Sequence, residues 1–152
     1  MHQQLFDRLH DEHEGVKKIL GQMQETSAGA PKQRQDLLHQ LRAELVPHMQ
    51  GEQEAFYPAL TEKMESRDKA LEALEEHHAA ELILNELSEL SPDAVNWKAK
   101  ARVLQELLTH HISEEESGIF ELTRQLLDES AVEGIYNRFV DVEEHMRQEV
   151  GA

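Results

Sequence analysis

Apolar residues recur at helical spacing along most of the chain. Near the N-terminus, intervals of three and four residues run through one stripe: Phe6, Leu9, His13, Val16, Leu20 and Met23. This spacing predicts an amphipathic helix whose apolar face packs against other helices. Stretches within residues 38–59, 74–87 and 104–120 repeat it, and each of the four stripes contains a histidine. The sequence therefore predicts four long helices that each carry a histidine toward a shared core.

Turn and cap signals mark the expected ends of these helices. The stretch Thr26–Pro31 breaks the first helix. Ser91 and Pro92 fit the N-cap and first position of the fourth helix, and Ser130 with Glu133 fits a capping box. We therefore predict an all-α fold, an up-down-up-down four-helix bundle with a short C-terminal extra helix. That extra helix either caps the bundle or forms a dimer contact.

Composition supports this fold and narrows the function. The 152 residues include 7 Gly, 4 Pro and no Cys, so a single helical domain over residues 1–152 is expected, and any metal must be held by histidine and carboxylate. The net charge of −16 repels polyphosphates and anionic lipids, so neither a nucleic acid nor a membrane partner is expected. The acidic N-terminal segment and the absence of a long apolar run predict a cytoplasmic protein.

One motif occurs twice: a histidine, a glutamate four residues later, and an aromatic residue five residues beyond that. The two copies are His48, Glu52 and Tyr57, and His111, Glu115 and Phe120. Positions i and i+4 stack on one face of a helix, so each copy offers an imidazole nitrogen and a carboxylate oxygen to a metal. Pro47 removes a backbone donor inside the second helix and is expected to bend it beside His48.

The two halves of the chain resemble each other beyond this motif. The segment DEHEGVKKILGQM, from Asp11, matches EEHHAAELILNEL, from Glu75, at a Glu-His pair and at later apolar positions. An internal duplication of this kind predicts a bundle with approximate two-fold symmetry. The four histidines would then meet at one level of its interior.

Six residues on the apolar stripes form the candidate metal site: His13, His48, Glu52, His77, His111 and Glu115. A buried glutamate is rarely left unpaired because its desolvation is costly, so two glutamates among four histidines indicate bound cations. Imidazole and carboxylate without thiolate suit iron, manganese or zinc. Glu81 is either a seventh ligand or the surface partner of a histidine. Whether His10 is an extra ligand is also left open by the sequence. In the run Glu114–Glu116, Glu115 is in phase with the core and its neighbours are expected in solvent.

At these residues the chain resembles the hemerythrin-like, HHE cation-binding family. The resemblance runs from about Leu5 to Leu127 and includes LHDEH, FYP after the first motif, and EEHH. It implies a four-helix bundle with the six residues as ligands of two Fe ions, which are non-haem and bridged by carboxylate and by an oxo or hydroxo group. Family members bind O₂ reversibly, sense oxygen or iron, or handle nitric oxide and peroxide.

The chain departs from true hemerythrins on the third helix. Those proteins carry a second histidine four residues from the first, whereas here Ala73 and Glu81 flank His77 at that spacing. This departure favours oxidation chemistry or sensing over simple O₂ carriage.

Three functional hypotheses follow. The leading one is a di-iron protein that binds or senses O₂, or NO or peroxide, and that acts as a binding or sensing protein more than as an enzyme. The second is a ferritin-like iron-handling oxidase, which would use Glu-x-x-His spacing, found here at Glu75 and His78. The third is a metal-free helical interaction module with core or pH-sensitive histidines.

Overall fold

The computed structural model describes residues 2–151, with side chains from 3 to 149, so the prediction of one domain over 1–152 reaches beyond it at both ends. The described residues form helices and connecting loops, with no strand among them, and the all-α prediction is confirmed. The helices are α1 (His2–Gln24), α2 (Pro31–Gly51), α3 (Tyr57–Thr61), α4 (Met64–Glu89), α5 (Trp97–Glu114), α6 (Phe120–Leu126) and α7 (Glu129–Gly151).

Two π-helical turns join pairs of these helices into long rods. One turn, Glu52–Phe56, connects α2 to α3, and the other, Glu115–Ile119, connects α5 to α6. The residues that flank both turns keep helical backbone angles. Each rod therefore runs the length of the bundle, and α2 is uninterrupted at the internal Pro47.

Four rods form the bundle: α1, α2–α3, α4 and α5–α6. Helix α1 packs against α2 and α5, and α4 packs against α5 and α3. The connection between α1 and α2 is held by Thr26, whose hydroxyl donates to the Met23 carbonyl at 2.7 Å and accepts from Arg34 at 2.9 Å. Pro31 opens α2 at a position where no backbone donor is needed.

Apolar side chains fill the bundle in two clusters. One contains Val16, Leu41, Leu84, Trp97 and Leu108, and the other contains Leu5, Phe56, Tyr57, Phe120 and Phe139. Along α1, His13 lies between residues of the two clusters. A polar layer therefore sits between two apolar cores. Among the described residues, no helix combines the length and hydropathy that crossing a bilayer requires.

The C-terminal helix differs from the prediction in length and in its cap. Helix α7 has 23 residues, as many as α1, and is not a short extension. It packs along α2 and α1, with Phe139 fully buried. Its first turn is capped by Asp128, whose side chain accepts the Ala131 N–H at 2.8 Å, so Ser130 is not the N-cap. An aspartate just before a helix caps it because its carboxylate accepts a backbone N–H of the first turn, which has no partner within the helix.

The fourth predicted helix also begins later than expected. α4 ends at Glu89, but α5 starts at Trp97 and not at Pro92. The Ser91 hydroxyl donates instead to the Asp93 side chain at 2.5 Å. A local turn between these two residues competes with capping, and the helix starts where Trp97 becomes buried.

Candidate metal centre

The structure brings the six predicted residues together in one buried layer. α1, α2, α4 and α5 each supply one histidine, and each glutamate opens a π-helical turn. All six residues are at most 3% exposed: His13, His48, Glu52, His77, His111 and Glu115. Because each helix presents its polar residue in phase with its apolar stripe, packing of the stripes carries all six to one level.

The imidazole Nε2 atoms point at the two carboxylates. Glu52 Oε1 lies 3.2 Å from Nε2 of both His48 and His77. Glu115 Oε1 lies 3.2 Å from Nε2 of His13, and its Oε2 lies 3.6 Å from Nε2 of His111. Each glutamate therefore faces one histidine of its own rod and one from another helix.

These donor atoms fall into two overlapping groups. One contains atoms of His13, His48, Glu52 and Glu115, and the other contains atoms of Glu52, His77 and His111, with each group spanning no more than 4.8 Å. The Nε2 atoms of His77 and His111 are 3.1 Å apart. Because Glu52 belongs to both groups, two cations could occupy neighbouring positions and share its carboxylate.

Four polar atoms in this layer are buried without a hydrogen-bond partner. They are His13 Nε2, both carboxylate oxygens of Glu52, and Glu115 Oε1. Leaving a buried charged acceptor unpaired costs several kcal/mol or more. A cation would pair these atoms, so the donor set of the layer fits a metal.

The outer nitrogen, Nδ1, of each of the four imidazoles contacts one side chain from another helix. The contacts to Nδ1 are His13 with Glu116 at 2.7 Å, His48 with Glu12 at 2.7 Å, His111 with Glu76 at 2.7 Å, and His77 with Gln53 at 2.9 Å. A carboxylate at Nδ1 keeps the proton there and leaves the Nε2 lone pair free for a metal. Glu116, expected in solvent, instead belongs to the site, because α1 packs against the rod that carries it.

Burial and charge oppose each other within the layer. Burial lowers the pKa of His77. Burial also acts to lower the pKa of His48, but the Glu52 charge and the hydrogen bond with Glu12 hold it well above its usual value. Burial and the neighbouring Glu52 carboxylate raise the pKa of Glu115. Two carboxylates at this depth repel each other, and a cation between them relieves that repulsion.

The π-helical turns explain the aromatic residue five positions after each glutamate. The Tyr57 N–H bonds to the Glu52 carbonyl, and the Phe120 N–H bonds to the Glu115 carbonyl. A hydrogen bond from the N–H of residue i+5 to the carbonyl of residue i places these two residues above each other along the helix. The spacing in the sequence contained this signal, although an α-helical interpretation puts the aromatic residue on another face.

The hydroxyl of Tyr57 reaches the histidine and glutamate layer, which the sequence motif, with Tyr57 counted only as an aromatic residue, did not predict. Its hydroxyl donates to Glu115 Oε2 and lies 3.4 Å from His77 Nε2 and 3.5 Å from His111 Nε2. Burial, together with the charges of Glu115 and Glu52, raises the pKa of Tyr57 well above its usual value. At the matching position of the other half, Phe120 has no hydroxyl and stacks on Phe6.

Helix α7 extends the site outward from His48. The Phe139 ring meets the His48 ring edge-on, with centroids 6.1 Å apart. Glu143 is fully buried and accepts from Arg8 at 2.7 Å. Burial and the neighbouring Glu12 raise the pKa of Glu143 to about 7, against the opposing effect of Arg8. Sequence periodicity treated this helix as a separate tail and so missed Glu143.

A small cavity adjoins the histidine layer. Its volume is about 10 Å³, close to that of one water-sized probe. The four imidazoles line it together with five apolar side chains: Val16, Leu45, Met49, Leu108 and Ile112. The space is enclosed and apolar.

Several residues left open by the sequence lie outside the layer. Glu81 is exposed, which does not support a seventh ligand. His10 is half exposed, and its Nδ1 contacts Glu116 at 3.0 Å, so it adjoins the site without entering it. Glu75 and His78, the pair with ferritin-like spacing, are both exposed.

Comparison with known proteins agrees with this geometry. Residues 4–123 match the family described as the hemerythrin HHE cation binding domain, and the chain belongs to that family. It is also similar to a protein named DNA nickase from Nostoc sp. (strain PCC 7120 / SAG 25.82 / UTEX 2576), at 23% identity over 145 residues. The match covers 95% of this chain and 40% of that protein. No solved structure matched the chain significantly.

Proposed function

We propose that this cation-binding domain holds two iron ions in its histidine and glutamate layer and binds or senses O₂ there, with NO or peroxide as related ligands. The observation that carries the proposal is the pair of overlapping donor groups that share Glu52. Bound iron would supply one-electron redox chemistry and open coordination positions for a small ligand.

Under this proposal each ion has its own pair of histidines. His13 and His48 would hold one ion, His77 and His111 the other, and Glu52 and Glu115 would contribute to both. Tyr57 is a candidate further donor to the second ion, because its hydroxyl is 3.4–3.5 Å from the two Nε2 atoms of that pair. Donor atoms that share a metal at about 2.1 Å are separated by about 3 Å.

The small cavity beside the layer favours a ligand of only a few atoms. Its volume of about 10 Å³ and its apolar side chains favour a small molecule over an organic substrate. Carboxylates at three of the four Nδ1 atoms orient the imidazoles before a metal arrives. The protein's own contribution is thus to orient the ligands and to exclude water.

Metal content and gas binding test the proposal. Protein loaded anaerobically with Fe(II) should hold about two irons per chain, and its visible spectrum should change on exposure to O₂. Glu52→Ala should lower the iron content and abolish the spectral change, whereas Glu54→Ala, an exposed carboxylate in the same π-helical turn, should leave both unchanged. Loaded protein with no spectral response to O₂, NO or peroxide would contradict the ligand-binding part.

Two alternatives make different predictions. A ferritin-like oxidase that used Glu75 and His78 would lose Fe(II) turnover in Glu75→Ala but not in His48→Ala. Glu75 and His78 are both exposed, which does not support a buried metal centre at that pair. A metal-free interaction module would show the same thermal stability with and without a chelator, because no ligand linkage would exist to lose.

The Nostoc relative is named for an action on DNA. The net charge of −16 opposes contact with a polyphosphate, so we expect no nicking of supercoiled plasmid by the purified chain. A cytoplasmic location also stays a prediction, which fractionation of native cells would test.

A further inference from the structure

The outer contacts of the four histidines follow the internal symmetry of the chain. On two of them, the carboxylate comes from the residue before the other histidine of the same pair. Glu12, which precedes His13, contacts His48 Nδ1, and Glu76, which precedes His77, contacts His111 Nδ1, both at 2.7 Å. These two contacts are chemically equivalent.

The symmetry breaks at the remaining two histidines. The residue after each glutamate makes the contact: Glu116 lies 2.7 Å from His13 Nδ1, and Gln53 lies 2.9 Å from His77 Nδ1. One half of the site therefore has a carboxylate where the other half has an amide.

The chemical difference acts on the imidazole. A carboxylate only accepts hydrogen bonds, so Glu116 holds the proton of His13 at Nδ1 and makes Nε2 a stronger electron donor. An amide both donates and accepts and carries no charge, so Gln53 pairs with either tautomer of His77. The tautomer with its proton on Nε2 cannot bind a metal there. In the structure the amide nitrogen of Gln53 faces His77 Nδ1. That nitrogen can only donate, so this contact favours the tautomer of His77 that competes with metal binding.

We propose that Gln53 makes the two metal positions unequal, so that the position of His77 and His111 fills after that of His13 and His48. The inference rests on the proposed metal site. Gln53 touches no metal in this scheme and acts as a positioning residue through His77. An ion at the second position would be held less tightly and would exchange more readily than the first.

Partial loading with Co²⁺ tests this directly. Crystals grown with one Co²⁺ per chain give the occupancy of each position from anomalous scattering, without any activity measurement. Loss of one carboxylate partner lowers metal affinity by about tenfold or more. When two independent positions share one ion per chain, a difference of about tenfold in affinity gives a ratio of occupancies of about three to one. We expect the His13–His48 position to be the fuller one.

Three variants separate Gln53 from other causes. Gln53→Glu keeps the side-chain size and should bring the occupancies close to equal. Glu116→Gln removes the carboxylate on the other half and should reduce the skew in the same way. Gln50→Glu adds the same charge to the same rod, at a side chain bonded to Glu54, and should leave the skew unchanged.

The outcomes distinguish this inference from the function it rests on. Equal filling in the wild type, or a skew that persists in Gln53→Glu, would overturn the role of Gln53 while two bound ions still supported the metal site. Absence of Co²⁺ from the layer in every variant, even at excess metal, would overturn the proposed metal site itself.

Discussion

Gly51 decides how closely α7 packs against the site, and replacing it with alanine tests that packing. A Cβ at Gly51 would lie 2.6 and 2.7 Å from Cε2 and Cδ2 of the Phe139 ring. Carbon atoms do not approach so closely without displacement, and Phe139 is fully buried with little room to move. Overpacking of this kind costs about 1–3 kcal/mol.

Gly134→Ala provides the control for the backbone. Gly134 lies in α7, and a Cβ there meets no atom within 4 Å. Alanine in a helix is favoured over glycine by about 1 kcal/mol, so Gly134→Ala should stabilise the protein by about that amount. The difference between the two variants then isolates the clash at Gly51, about 1–3 kcal/mol.

Urea unfolding of the metal-free protein measures these differences. In a Phe139→Ala background the clash is absent, so Gly51→Ala should become stabilising, and the double-mutant cycle gives the coupling. If Gly51→Ala raised the stability of the wild type as much as Gly134→Ala does, the inferred contact between α7 and α2 would be refuted.

Two further predictions concern Tyr57 and Glu143. Iron-loaded protein should show visible absorption from tyrosine bound to Fe(III), which Tyr57→Phe removes and which substitution of the chain's other tyrosine, Tyr136→Phe, preserves; an unchanged spectrum in Tyr57→Phe would exclude Tyr57 as a ligand. Burial and the neighbouring Glu12 raise the pKa of Glu143 from 4.5 to about 7. The stabilisation that comes from its bound proton is complete below pH 4.5 and is lost as the pH rises through about 7. Glu143→Gln should therefore become more stable relative to wild type over that interval, by about 1–3 kcal/mol once solvent screening is allowed for. Parallel stability curves for the two proteins from pH 4.5 to 8 would contradict this assignment.

The helical stripes determined most of the fold. A residue's phase along a helix depends on the local chain alone, so the four stripes predicted both the long helices and the inward direction of their histidines. Helix ends were less predictable. Asp128, not Ser130, caps α7, and Ser91 bonds within a loop, because several residues compete for the same local hydrogen bonds.

The residues of the candidate site also fall into two groups, those that the sequence predicted and those that depend on how the helices pack. Its six inner residues came from phase and spacing within single helices, which sequence records directly. Glu12, Gln53, Glu76 and Glu116 each contact a histidine on another helix, and the partner of such a residue depends on how the helices pack. Tyr57 also reaches the site through a π-helical turn, which changes the residue spacing locally. The sequence by itself thus determined which side chains face inward, while the tertiary structure decided which of them meet, because contacts between helices depend on their packing and not on the period of any one of them.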